Sequence, residues 1–347
     1  MKPGFAFAAA AMWCLAARAA DGPASIANAR IELGAGSTPA KAMAAAGRGK
    51  TAEWVGWSVR AIAQARDVCC FTRNFTHRGC SLSDRHTSWG TSERFERTGS
   101  PDLYLLVEMT EGRPSQVRVV SESCPIDGAD RRIVWLGAVE PAASLDAASR
   151  LLEVQDEEIA ESALTAVAFH DDPRADGLIE KRVFDRSLPE EARKQAIFWA
   201  GNARGPAGYR VLERVLSSEP RGSLREHAVF ALSQSSAPGA ADRIKRVALD
   251  DRDNEVRAQS LFWLAQTNTP GAGEWIVGRL DAESDEHVRE QAVFALSQLK
   301  DGTDWLLKVL RSKRDPETIR RALFWLGQSN DPRALEAIEK ILDKPSS

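Results

Sequence analysis

Apolar positions from about residue 157 to the end of the chain recur in a pattern that itself repeats. Phe198, Phe230, Phe262, Phe294 and Phe324 stand 32, 32, 32 and 30 residues apart. The words around them recur as well: RKQAIFWAG from Arg193, REHAVFALS from Arg225, RAQSLFWLA from Arg257, REQAVFALS from Arg289 and RRALFWLG from Arg320. Within each word the apolar residues fall at helical spacing. A turn bearing Pro, Gly or Asp follows, and a second amphipathic segment such as Tyr209–Leu216 or Ala334–Leu342 completes the unit. Each unit is therefore expected to be a helical hairpin. Ile159–Ala168 fits the same register with Thr165 in place of Phe, as a terminal unit does. About six hairpins are expected over residues 141–347.

The first half of the chain has a different rhythm. Ile26–Ile31 alternates, and after Gly34-Ala35-Gly36 an Ala-rich stretch opens at Thr38-Pro39, predicting a strand and then a helix. Trp54–Val59, Leu103–Met109, Gln116–Ser121 and Arg132–Val139 are rich in β-branched and aromatic residues and predict strands, with a turn at Glu111-Gly112-Arg113-Pro114 between the second and third. Residues 66–100 have no clean period and read as a loop. Residues 20–140 are thus expected to form a small α+β domain.

The repeat words resemble the HEAT-repeat family, in the short form also found in bacterial phycobilisome lyase-like proteins. Asp253-x-x-Val256-Arg257 and Asp285-x-x-Val288-Arg289 carry that family's turn and second-helix signature. The resemblance implies a right-handed α-solenoid whose first helices lie on the convex side and whose second helices line the concave side. There are departures: Asp315-x-x-Thr318-Ile319-Arg320 has one extra residue, and the terminal unit lacks the Arg. No chromophore-binding feature accompanies the repeats.

Numbering each second helix from its Val, Ile or Leu, positions 1, 5, 8, 9 and 12 share a face and predict the packed stripe. Position 8 alternates Trp199, Ala231, Trp263, Ala295 and Trp325, large beside small, which predicts tryptophans filling the core between units. Position 7 carries the phenylalanines and points away from the stripe. Position 4 beside it holds Gln195, His227, Gln259, Gln291 and Arg321, and position 11 holds Asn202, Gln234, Gln266, Gln298 and Gln328. Stacked units would set these in three parallel rails on the concave face. In one reading Phe packs on Phe and amides bond from unit to unit. In the other, an apolar rail flanked by amides is a groove for an extended chain.

Charge refines this picture. The formal net charge of −3 divides into +2 over residues 1–20, +1 over 21–140 and −6 over 141–347, which argues against nucleic-acid binding by the array. Met1-Lys2, the apolar run from Gly4 to Ala17 and Ala17-Arg18-Ala19 read as a signal peptide over residues 1–19, cleaved near Ala19, and no stretch is long enough to span a membrane. A secreted or periplasmic protein is expected, and its Ala- and Arg-rich composition points to a bacterium. That address leaves Cys69, Cys70, Cys80 and Cys124, an even set favouring disulfides. Either Cys69–Cys80 with Cys70–Cys124 or Cys70–Cys80 with Cys69–Cys124 satisfies them.

His77 and His86 near Cys80 make a weaker metal reading, lacking paired C-x-x-C spacing. Ser81 or Ser83 with Asp84 and His86 forms a weak hydrolase set with no nucleophile elbow. Asn74-Phe75-Thr76 is formally a sequon. No catalytic residue, metal or cofactor is assigned. The function expected from sequence is a non-enzymatic scaffold that binds a protein or peptide along the concave face. The alternative makes the cysteine-bearing domain a redox or enzymatic module for which the solenoid recruits substrate.

Overall fold

The computed structural model describes residues 22–342 apart from 35, 47, 49–50, 64, 66–67, 72–78, 84–87, 91–101 and 313. The expected signal peptide, the sequon, His77, Asp84 and His86 all lie outside the described residues. The chain divides into two compact units, Met1–Val59 with Arg66–Ala143, and Arg60–Ala65 with Ser144–Ser347.

The first unit is α+β. Strands β1 (Ile26–Ala27) and β2 (Arg30–Leu33) are separated by Asn28, which turns the chain at a φ of 52°. Helix α1 (Pro39–Ala45) begins where expected, with the Thr38 hydroxyl accepting from the Lys41 N–H at 3.4 Å. Strands β3 (Glu53–Val59), β7 (Leu103–Thr110), β8 (Arg113–Ser121) and β10 (Arg132–Val139) join β2 in one sheet of order β2-β10-β3-β7-β8. Its first three strands run parallel, and its last three form an antiparallel meander. Glu111 and Gly112, at φ 50° and 76°, make the tight β7–β8 turn, a backbone geometry that favours glycine at its second position.

The aperiodic segment 66–100 is not wholly loop. It contains β4 (Cys69–Phe71), β5 (Cys80–Ser81) and β6 (Ser88–Gly90). β4 pairs with β6, while β5 and β1 flank β9 (Ile126–Asp127). Strands of two or three residues are too short to show a period. They are held by two disulfides, Cys69–Cys124 and Cys70–Cys80, the second of the two pairings open from sequence. All four cysteines are buried in one apolar cluster with Trp54, Leu82, Tyr104, Leu106, Ile133 and Trp135. The bridges therefore replace part of an apolar layer over one face of the sheet.

The second unit is an α-solenoid. Helix α2 (Pro141–Leu152) opens it, and six hairpins follow: α3 (Glu157–Phe169) with α4 (Arg174–Phe184), α5 (Glu190–Ala203) with α6 (Gly205–Ser218), α7 (Gly222–Ser233) with α8 (Ala240–Asp250), α9 (Asn254–Gln266) with α10 (Ala272–Leu280), α11 (Glu286–Ser297) with α12 (Gly302–Arg311), and α13 (Pro316–Gly327) with α14 (Pro332–Leu342). The recurring Asp has a simple role. Asp156, Asp253, Asp285 and Asp315 are N-caps of α3, α9, α11 and α13, each accepting a backbone N–H of the first turn at 3.0–3.1 Å. Helices α5, α7, α9 and α11 pack on one another in an unbroken row, whereas α6, α8 and α10 touch far less. The row bearing the Phe words is thus the closely spaced inner layer.

The buried stripe is wider than helical phase predicts. Position 6, occupied by Ile197, Val229, Leu261 and Val293, is also buried. An inner-layer helix has three neighbours, its hairpin mate and the equivalent helix on either side, so more than half of its circumference is covered.

The recurring Arg at position 2 ties successive units. Arg193 is bound to Glu219, Arg225 to both carboxylate oxygens of Asp251 at 2.9 and 2.8 Å, Arg257 lies 3.5 Å from Glu283 and Arg289 3.8 Å from Asp315. The first two pairs are almost fully enclosed. Burial opposes ionisation of Glu219, but the Arg193 hydrogen bond and the Arg221 backbone N–H overcome it, so its carboxyl is held below the ordinary range. The acids repeat every 32 residues, as the arginines do.

Candidate functional site

The inner layer carries the residues picked out from the sequence. Phe198, Phe230, Phe262 and Phe294 are half-buried, and Phe324 is 53% exposed. They neither stand free nor vanish into the core. Phe198 stacks on Phe230 at 5.9 Å between ring centroids, and Phe262 on Phe294 at 5.7 Å with the planes 1° apart. Between these pairs the tryptophans enter: Phe230 meets Trp263 at 4.7 Å, and Phe294 meets Trp325 at 4.8 Å. Trp199 joins Phe169 to Phe198, at 5.0 Å from each. Trp263 lies 4.9 Å from Phe262, and Trp325 5.1 Å from Phe324. The rings from Phe169 to Phe324 therefore form one continuous aromatic ladder crossing α3, α5, α7, α9, α11 and α13.

The alternation at position 8 thus acquires a different meaning. Where the next helix has Ala231 or Ala295, the two phenylalanines stack directly. Where it has Trp263 or Trp325, the indole inserts between units. Trp199 is buried, but Trp263 and Trp325 are only half-buried and belong to the ladder's wall, a correction to their expected place in the core.

The amide rails differ from each other. Gln195, His227, Gln259 and Gln291 are half-buried along one side of the ladder, and Gln234, Gln266 and Gln298 are exposed along the other. The glutamines bond locally: Gln259 donates to Glu255 at 2.9 Å, and Gln234 and Gln298 donate to Ser233 and Ser297 at 3.1 Å. Ties between units are made by His227, which bonds to the Lys194 backbone, and by charged and hydroxyl groups. His287 lies 2.9 Å from Glu255, Arg321 reaches Glu290 at 2.5 Å, and Ser223 donates to Glu190 at 2.7 Å. Burial, and then the charge of Lys194, hold the His227 imidazole below its ordinary range, so it is neutral at pH 7. This face of the inner layer presents apolar rings flanked by amides and a neutral imidazole.

His170, unnoticed in the sequence, is fully buried at the end of α3, with Nδ1 2.6 Å from Ala166 O and Nε2 2.8 Å from Ser144 Oγ. Burial lowers its pKa, and both ring nitrogens are occupied by these structural contacts. Cys69, Cys70, Cys80 and Cys124 are paired and buried, so none of these four sulfurs is a thiolate for redox chemistry in this state. Among the described residues of the weak hydrolase set, Ser81 and Ser83 hydrogen-bond each other at 2.8 Å. Glu286, Glu290 and Glu317 approach one another closely, but Arg321 already binds Glu290 and Glu317. No helix among the described residues is long and apolar enough to cross a membrane.

Comparison with known proteins places these repeats. The family model described as PBS lyase HEAT-like repeat matches residues 319–344. Among solved structures, human deoxyhypusine hydroxylase in complex with glycerol aligns at 16% identity over 59% of this chain and 80% of that one, with a TM-score of 0.26. The complex of CpcE and CpcF of phycocyanin lyase from Nostoc sp. PCC7120 aligns at 20% identity over 56% of this chain and 80% of that one, with a TM-score of 0.31. No curated protein matches the chain. The expectation of a non-enzymatic scaffold is overturned by the family match. The matched repeat is described as that of a lyase, so this architecture gives no ground for excluding an enzyme. The resemblance read from the repeat words stands: the solenoid is similar to the PBS lyase HEAT-like repeat family, matched directly at residues 319–344.

Proposed function

We propose that this protein recruits a polypeptide substrate for an enzymatic or lyase-like reaction, holding it along the aromatic ladder of the inner layer. The observation that carries the reading is the unbroken run of half-exposed rings from Phe198 to Phe324, flanked by amides on both sides. Contiguous apolar surface rimmed by polar groups suits an extended chain, since rings accept its side chains and amides its backbone. The enzymatic half of the reading is supported by the description of the matched repeat. The paired cysteines support a staple rather than a redox centre in the first unit, and they suit delivery to a secreted or periplasmic compartment.

The test is capture from a bacterial envelope extract by the full chain, compared with a Phe262→Ser/Phe324→Ser variant of unchanged fold by circular dichroism. The captured polypeptide is then incubated with the full chain and weighed by mass spectrometry. A polypeptide captured through the ladder and changed in mass only in the presence of the intact chain supports the proposal. Equal capture by the variant contradicts the site, and capture with no covalent change contradicts the enzymatic role.

A further inference from the structure

At the start of the array the packing opens into a cavity of about 400 Å³ between α2, α3, α4 and α5. Its walls are apolar, with Leu152, Leu164, Leu178 and Leu188 among them. Its rim is acidic: five carboxylates, Glu153, Glu157, Glu161, Asp185 and Glu191, face two cations, Lys181 and Arg182. Lys181 is paired, whereas Arg182 has a backbone contact and a buried Nε without a partner among the described residues. Lys181 reaches Glu153 at 3.4 Å, and Arg182 donates to Leu152 O at 3.2 Å with Glu153 and Asp185 beside it. Glu191 is held by Lys194 at 2.8 Å. Glu157 and Glu161 make no ion pair among the described residues. Partial burial, and then the charge of Glu158, hold the Glu161 carboxyl above its ordinary range, as for an anion short of a counter-charge. Gln195 lines the cavity and also stands one helical turn before Phe198, so the cavity adjoins the start of the ladder.

We propose that this cavity is an anchor pocket for one basic side chain, arginine or lysine, of the recruited polypeptide, its apolar stem against the leucines and its charged head between Glu157 and Glu161. A long basic side chain has this division of character, apolar along the stem and charged at the tip. Charge complementarity selects it over an acidic or neutral side chain of similar length. The inference rests on the proposed recruitment for the source of the side chain, but the pocket's selectivity can be measured apart from it.

The full chain is titrated at neutral pH with n-butylguanidinium, n-pentanol and n-pentanoate, following tryptophan fluorescence and calorimetry. The guanidinium should bind about tenfold more tightly than either competitor, as expected for one charge-assisted contact of about 1.4 kcal/mol. A Glu157→Gln/Glu161→Gln variant should lose that preference, while Glu274→Gln on the remote helix α10 should keep it. Equal binding of pentanol or pentanoate, or an unaltered preference in the double variant, overturns the pocket assignment. In a second arm, blocked Leu/Ser peptides carrying one arginine or one norleucine are compared. A guanidinium-selective pocket with no preference for the arginine peptide overturns the polypeptide source while leaving the pocket's chemistry standing.

Discussion

At the scale of single residues, the sharpest commitments are buried charges. Arg193 and Glu219 are both almost fully enclosed, so removing one partner strands the other without water. Arg193→Met should cost about 3–5 kcal/mol in urea unfolding, and Arg193→Met with Glu219→Leu should recover most of it. A single-variant loss below about 1 kcal/mol would contradict the pairing. His170 and His227 set a pH dependence of the same sign. Each is a base whose folded pKa lies below its unfolded value of about 6.5, so the unfolded chain takes up protons first as pH falls. Stability should be level above about pH 7 and decline as pH drops below about 6.5, and His170→Gln should flatten part of that decline. Of these groups the arginines were visible in the repeat words, and their acids share the same 32-residue period but sit in the variable turns, where a recurrence of Glu and Asp is easily missed. His170 was not legible, because a lone histidine at a helix end carries no periodic signal.

At the scale of elements, the ladder joins helices into a continuous surface, and its two kinds of position should respond differently. Phe262 stacks on Phe294 and meets Trp263 edge-on, and should cost about 1–3 kcal/mol as Phe262→Ser, whereas Phe324, more than half exposed, should cost less than about 1 kcal/mol. Thermal melts of the two variants check this, and equal losses would show that Phe324 is packed as deeply as Phe262. Helix pairing offers a second test at Gly208, where a Cβ would meet the Ala200 carbonyl oxygen at 1.7 Å. Gly208→Ala should force α6 away from α5 and lower stability by about 1–3 kcal/mol. Helical phase set the phenylalanines apart from the packed stripe, and their rings meet from helix to helix. It missed the burial of position 6 and the insertion of Trp263 and Trp325 between units, because both follow from neighbours above and below that a single-helix projection omits. Strands β3, β7 and β10 were readable from β-branched runs, while β4 and β5 carry disulfide cysteines and β6 is placed by pairing with β4.

At the scale of the whole molecule, the chain combines a unit stapled by two disulfides with an array held by local stacking. Reduction should therefore act on the first unit, where removing a native disulfide costs about 2–5 kcal/mol, and leave the helical signal of the second largely intact. Far-ultraviolet circular dichroism before and after reduction checks this, and a collapse of helix content would contradict it. The central claim is that the inner layer holds a polypeptide, and hydrogen–deuterium exchange of the full chain with and without the captured polypeptide tests it most directly. The account predicts added protection in α5, α7, α9, α11 and α13, centred on Phe198 to Phe324, with α6, α8 and α10 unchanged. Protection confined to α6, α8 and α10, or to the disulfide-bearing unit, would contradict it.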